Sequence, residues 1–398
     1  MRVEVAVIGA GPAGLTAAIA LASSGIETAL VSKRPARPDN RTTALLVGSV
    51  RALQTLGVWD ACSTEAAPLE AIRIVDDTRR LIRAPEVVFH AAEIGLEAFG
   101  YNIENRHLVA ALEARAASLP QLRRIDEAAI AIEPEAEQIR VRLADQSRLE
   151  ARLVIGADGR RSICRAAAGI LCDVFDYRQS ALTLNLRHAR PHAGVSAEFH
   201  TAGGPFTLVP LPGLRSSLVC VVASREAERL ASLSPQALAQ EIERRAHSIL
   251  GEVGLETEAG IFPLTAETAR NICAERIALI GEAAHVLPPI GAQGLNLGLR
   301  DAATIAELVA TARRAGADPG SAEVLTRYQD ARRADVATRA FAVDVLNRSL
   351  LSDFLPIQGM RGLGLYLVDR IGPLRRALMR EGVAPALAAP RLMRGEAL

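Results

Sequence analysis

This sequence predicts an α/β fold in two interleaved parts, because one pattern occurs three times along it. An apolar strand runs into a Gly-rich turn, and a helix follows. The first copy is Val3–Ile8, then Gly9-Ala10-Gly11-Pro12-Ala13-Gly14, then a helix from Leu15 to Ala22 closed by Ser24-Gly25, with a second strand at Glu27–Val31. The second copy is Leu153-Val154-Ile155-Gly156-Ala157-Asp158-Gly159, leading into a helix near Arg165. The third is Ile277–Ile280, Gly281-Glu282, a Pro/Gly loop over 288–294, and a helix from near Leu295. Together they predict a Rossmann-like nucleotide-binding domain. Between the second and third copies lie Ala181–Leu186, Ser196–His200, Phe206–Pro210 and Ser217–Ala223, strands joined by Gly/Pro turns. These predict a mixed or antiparallel sheet forming a substrate domain, and residues 322–380 read as a helical C-terminus.

In the first copy, strand, Gly-x-Gly-x-x-Gly, helix and strand occur in the order that gives this motif its meaning. Gly9 permits the tight turn, Gly11 lets a pyrophosphate approach, and Gly14 allows close helix–strand packing, with Pro12 and Ala13 completing the turn. The second strand should end in an acidic residue that holds the adenosine ribose. It ends instead in Val31-Ser32-Lys33-Arg34. Ser32 offers a single hydrogen bond. Lys33 and Arg34 suit a ribose 2′-phosphate, and they also read as a solvated loop. This motif alone leaves FAD and NADP both open.

In the second copy, Asp158 and Gly159 make the turn, and Ser162 with Arg160, Arg161 and Arg165 suits a phosphate-bearing ligand. A plain Asp-Gly turn with surface arginines is the other reading. In the third copy, the backbone of Pro289, Gly291, Gln293, Gly294, Leu295 and Asn296 can approach a flat ligand closely. Free N–H groups at the helix start can hold partial negative charge, as on the N1 and O2 edge of a flavin. His285 reads either as an acid/base group or as a packed residue that shapes the loop, and no general base stands out.

Taken together, Gly9–Gly14, Asp158-Gly159 and Gly281-Glu282 resemble the motifs of the FAD-dependent aromatic hydroxylases of the para-hydroxybenzoate hydroxylase type. The run Ala292-Gln293-Gly294-Leu295-Asn296-Leu297-Gly298-Leu299-Arg300-Asp301 is similar to a signature of the ubiquinone-biosynthesis flavin hydroxylases. Arg41-Thr42-Thr43-Ala44-Leu45, Glu104-Asn105-Arg106, Tyr328, Arg332-Arg333 and Val343–Leu346 fit the same subfamily, as do Gly362–Leu365 and Pro373–Arg376. The resemblance implies FAD as cofactor, NAD(P)H as transient reductant and O2 as co-substrate. It implies a flavin C4a-hydroperoxide that hydroxylates the ring of a polyprenylated phenol. It adds Arg41, Thr42 and Asn105 to the cofactor contacts, and places the Pro289 carbonyl near the reactive edge. Ser32 stands where the subfamily has Glu, and Glu282 where it usually has Asp. Other readings are a hydroxylase of a small soluble aromatic compound, and a flavin-dependent reductase of a prenyl chain.

The expected organisation is 1–71, 101–179 and 271–321 for FAD binding, 72–100 and 180–270 for substrate, and 322–398 for the helical region. Arg41 to Gly57 reads as a helix over the cofactor, His107 to Ser118 as a helix introduced by Asn105, and 130–155 as strands. Ser234-Pro235 opens a helix running to Leu250. The 398 residues are 49% hydrophobic, enough for a sizeable core, and the net charge of +1 gives no reason to expect nucleic acid. Lys33 is the only lysine. That bias and the many alanines fit a GC-rich bacterial genome. The five cysteines include no CxxC pair and the seven histidines are scattered, so a cytoplasmic protein with free thiols and no metal site is expected. No export signal or spanning run is seen. Between 350 and 380, an apolar set (Leu350, Leu351, Phe354, Leu355, Ile357, Met360, Leu363, Leu365, Tyr366, Leu367, Ile371) is interleaved with Arg361, Arg370, Arg375, Arg376 and Arg380. It suits a helix lying on anionic lipid at the inner membrane or meeting partner enzymes, or else packing on the body or in a homo-oligomer.

Overall fold

The computed structural model describes residues 1–33, 39, 41–78, 84–289, 291–351, 366–367, 370–383 and 389–398. Arg34 lies outside them, as do Phe354, Leu355, Ile357, Met360, Arg361, Leu363 and Leu365 of the expected interfacial segment. No described helix is long and apolar enough to cross a membrane.

Among the described residues, one sheet has five parallel strands at its centre, in the order Ile277–Leu279, Arg148–Gly156, Arg2–Ile8, Thr28–Val31 and Leu122–Ile125. Its inner strands are near-continuous hydrophobic runs, as expected of strands covered on both faces. Val5, Ala6 and Val7 are fully buried. The helices Pro12–Ser23, Asn105–Ala117 and Gln293–Arg314 pack around it. An antiparallel pair, Ala129–Pro134 and Ile139–Leu143, extends Arg148–Gly156. Because the central strands are parallel, Ile8, Val31, Gly156 and Leu279 all end on one edge. The chain order reverses between Arg2–Ile8 and Arg148–Gly156, which is where such sheets open a ligand crevice.

The second sheet is antiparallel apart from the parallel pair Val195–Thr201 and Ala71–Asp76. Its backbone is the long strand Cys172–His188, flanked by Arg215–Ala223 on one side and Gly260–Ala269 on the other. One face buries Leu182, Leu184, Phe199, Phe206 and Leu218 together with Leu230, Leu238 and Ile242 of two helices, Ser224–Ala231 and Pro235–Arg245. The second of these is capped as expected, with Ser234 Oγ accepting from the Ala237 N–H at 3.2 Å.

A small third sheet, Thr42–Leu46, Gly100–Glu104 and Ala66–Pro68, joins the other two. Thr42 Oγ1 donates to Ser217 Oγ at 2.9 Å, and Asn102 Nδ2 donates to the Pro210 carbonyl at 2.9 Å. The expected helix over 41–57 is thus a strand followed by a helix, Val47–Thr55. Thr42 and Thr43 are β-branched and prefer extended backbone, and Gly100–Glu104 supplies a partner that local sequence does not reveal.

Candidate active site

The three Gly-rich turns meet at the carboxyl edge of the parallel sheet. Gly9 has φ +108°, a conformation that strains any side chain, and its N–H donates to the Val31 carbonyl at 2.8 Å. Gly11 caps the helix Pro12–Ser23 in extended conformation, without side-chain help, and Pro12 takes the first helical position. The N–H groups of Ala13 and Gly14 therefore have no partner within the helix. Around the position of an added Gly11 Cβ there is no atom within 4 Å. The result is an open cradle of backbone donors with the helix dipole behind it.

Asp158 sits beside this cradle, since the Ala157 N–H bonds to the Ile8 carbonyl. Its Oδ2 accepts from the N–H groups of Ile163 at 2.8 Å and Cys164 at 3.2 Å, which caps the short helix Ile163–Ala167. Its Oδ1 is buried and has no partner among the described residues. An orphaned acceptor of this kind calls for a donor, such as a ribose or ribitol hydroxyl. Gly159 follows in left-handed conformation. Arg165 Nη1 donates to the Ala283 carbonyl at 2.9 Å, tying the second turn to the third. Arg160 lies 3.6 Å from the exposed Glu282 carboxylate.

Ser32 directly follows the second parallel strand and is half-buried, its Oγ donating to the Lys33 carbonyl at 3.2 Å, and Lys33 is exposed. Arg41 and Asn105 converge on one carboxylate: Arg41 Nη2 and Asn105 Nδ2 each reach Asp39 Oδ2 at 2.8 Å. Burial works against the charge on Asp39, but these hydrogen bonds win and hold its carboxyl below the usual range. The Arg41 guanidinium also covers the Phe262 ring at 5.1 Å.

In the third turn, Gly281 has φ +58° and faces Ala13 and Gly298, so two helix starts come together there. The helix Gln293–Arg314 begins after Ala292, with no side-chain cap, and so offers a second set of free N–H groups near Gly294 and Leu295. Pro289 and Gly291 are exposed beside it. Gln293 is held from both ends, donating to the Gly291 carbonyl at 2.9 Å and accepting from Arg339 at 2.6 Å. Asn296 spends its amide inside the protein. Its oxygen accepts from Leu46 N and Ser49 Oγ, and its nitrogen donates to the carbonyls of Ala44 and Ala292.

His285 belongs to a buried cluster that sequence reasoning missed. Asp301 Oδ2 accepts from Gly281 N at 3.0 Å and pairs with His285 Nε2 at 2.6 Å, while Asp301 Oδ1 accepts from Arg332 Nε at 2.7 Å. Arg332 continues to Asp335, which also binds Arg339. Asp301 is 1% exposed. Burial opposes its charge, yet His285 and Arg332 beside it push its pKa down to about 2. Asp301 and Arg332 were visible in the sequence only as members of resembling motifs. The imidazole of His285 is buried and hydrogen-bonded to Asp301.

An open backbone cradle and two uncapped helix starts supply donors, and Asp158 supplies an acceptor, a combination that fits FAD. Residues 2–343 match the protein family described as an FAD binding domain. The chain is 35% identical to the ubiquinone hydroxylase UbiL of Rhodospirillum rubrum, over 98% of this chain and 92% of that protein. It is 32% identical to the 3-demethoxyubiquinol 3-hydroxylase of Escherichia coli, over 95% of this chain and 97% of that protein. The solved p-nitrophenol 4-monooxygenase PnpA of Pseudomonas putida shares the fold, with a TM-score of 0.78 over 96% of this chain and 97% of that one at 18% identity.

Proposed function

The chain belongs to the FAD-binding-domain family, and from that premise we propose that it is an FAD-dependent monooxygenase that hydroxylates the ring of a prenylated phenol in ubiquinone biosynthesis. The observation that carries this reading is the meeting of three sequence-distant turns at one edge of the parallel sheet, with an unsatisfied buried acceptor, Asp158 Oδ1, beside the first of them. Full-length similarity to two ubiquinone-pathway hydroxylases supports the substrate class.

Bound FAD, once reduced by NAD(P)H, supplies the dioxygen chemistry. The protein supplies position and shelter. The cradle from Gly9 to Gly14 would hold the pyrophosphate, with Pro12 fixing the start of the helix behind it. Ser32 and Lys33 would flank the adenosine. Asp158, backed by Gly159, would accept from a hydroxyl. Arg41, Thr42 and Asn105, tied to the third sheet, would line the cleft on the substrate-domain side. Gly281 and Glu282 would meet the ribitol side. The N–H groups of the 291–295 loop would face the electron-rich edge of the ring system, with Pro289 at the exposed lip. Asn296 would act indirectly, by fastening this loop to residues 44–49.

The test is purification followed by turnover. The protein should be yellow and should release intact FAD on denaturation. With NAD(P)H, 18O2 and a prenylated phenol it should yield a product heavier by one labelled oxygen atom. FAD binding with reduction of the prenyl chain and no label uptake would support the reductase instead. A colourless protein that still oxidises NADPH would sink the flavin reading altogether.

A further inference from the structure

A groove of about 300 Å³ runs between the first half of the strand Cys172–His188 and the helix Ala322–Leu351. Its apolar lining is Val174, Phe175, Ala266, Leu287, Pro288 and Phe341. One end is the loop of the candidate active site. The strand Gly260–Ala269 pairs through Thr268 with His285, two residues further on come Leu287 and Pro288, and Pro289 follows directly. Among the described residues the other end is open: Val174 is 63% and Phe341 69% exposed, and Val345 is exposed one helical turn on.

Three of the polar side chains lining the groove, Tyr177, Asp344 and Asp173, are already engaged. Asp344 Oδ1 accepts from Tyr177 Oη at 2.9 Å, joining helix to strand, and Asp173 is paired with Arg270 at 2.8 Å. An occupant is therefore offered mainly carbon surface, with the Thr268 hydroxyl and the exposed Asp173 carboxylate beside it, which favours an apolar ligand over a charged one. Exposed aromatic and aliphatic side chains clustered at a groove mouth mark a binding surface, and the volume matches the lower end of small-ligand sites.

We propose that this groove takes the isoprenoid tail of the substrate, so that the chain runs from the Pro288-Pro289 loop out past Phe175 and Phe341. This deepens the function proposed above and rests on it. The geometry divides recognition in two: the ring is placed by the flavin loop, the tail by the groove. Each chain carbon withdrawn from water is worth about fourfold in affinity, so tail length acts on KM while leaving the chemical step alone.

The test uses the full-length, FAD-loaded protein with one phenol carrying either a single isoprene unit or several, in mild detergent. Wild type is expected to show a KM at least tenfold lower for the long tail, at similar kcat. Phe341→Asp and Val174→Asp should raise KM for the long-tailed phenol about tenfold, and leave kcat, the flavin spectrum and the short-tailed KM unchanged. Both positions are exposed, so folding should survive. Phe341→Ala, with a smaller rise, gives a second reading if an aspartate variant fails to hold FAD. Equal shifts for both tails, or none, would overturn the proposal. A change in oligomeric state with tail-independent kinetics would also overturn it, and would make the groove a contact between copies. If wild type hydroxylates neither phenol, the function itself fails, a result separate from any failure of the groove.

Discussion

At Gly14 an added Cβ would lie 2.0 Å from the Gly9 carbonyl oxygen, and at Gly9 it would lie 2.2 Å from the Ala157 carbonyl oxygen. At Gly11 it would meet nothing within 4 Å, and φ there is −69°, which alanine accepts. Two of these glycines are thus required by the protein itself and the third only by what the cradle holds. Gly11→Ala is expected to leave the melting temperature of the apo-protein within a degree or two of wild type and to weaken FAD binding at least tenfold. Titration of apo-protein with FAD, followed by flavin fluorescence, measures this. Unchanged affinity would mean that the pyrophosphate does not pass over Gly11. Ser32 poses a different question. A serine in place of the usual carboxylate gives up one hydrogen bond, a net loss of about 0.5–1.5 kcal/mol, and the Lys33 carbonyl already engages its hydroxyl.

The helix Gln293–Arg314 joins most of the site. Its start carries the 288–294 loop, Asn296 fastens residues 44–49, and Asp301, two turns on, gathers Gly281, His285 and Arg332. Removing one partner of such a buried cluster leaves the others uncompensated, at a cost of about 3–5 kcal/mol. Asp301→Ala should lose roughly that much in urea unfolding of the apo-protein, and a loss under 1 kcal/mol would show that Arg332 and His285 find other partners. Elements of this kind divide sharply in how legible they were. The turns at Gly9, Asp158 and Gly281 could be read because each lies within about 20 residues of continuous sequence, with its strand before it and its helix after. The Asp301–Arg332 pair could not be read, since helical periodicity in 322–351 does not say which arginine turns inward. The strand Thr42–Leu46 was misread as helix for the same reason: its partner Gly100–Glu104 is remote in sequence. Asn296 was recognised as part of the loop, but its work on Leu46 and Ser49 depends on that same remote pairing.

Across the whole molecule, carboxylates held low by neighbouring cations should set the acid limit. Asp301 is pushed down to about 2 by burial-opposed charges, and Glu93 and Glu241 reach about 2 chiefly through hydrogen bonds from Arg375 and Arg244. Their folded pKa values lie below the unfolded ones of 3.8 and 4.5. The stability they contribute is therefore complete above those unfolded values and is lost as pH falls toward 2. Calorimetric melting of the holo-protein should be insensitive to these groups above pH 5 and should fall steeply between pH 4.5 and 2. A melting point that stays level down to pH 2 would contradict this account. The order in which the site's parts occur along the chain has a consequence in time. Gly9, Asp158, Gly281 and Arg332 are spread over more than 300 residues of chain yet converge on one crevice. At about 5–20 residues per second of synthesis, Arg332 is made about 15–65 s after Gly9. A ribosome will have finished the first strand and its turn long before the last clamp exists, so capture of the flavin belongs to the nearly complete polypeptide, never to its first domain-sized fragment.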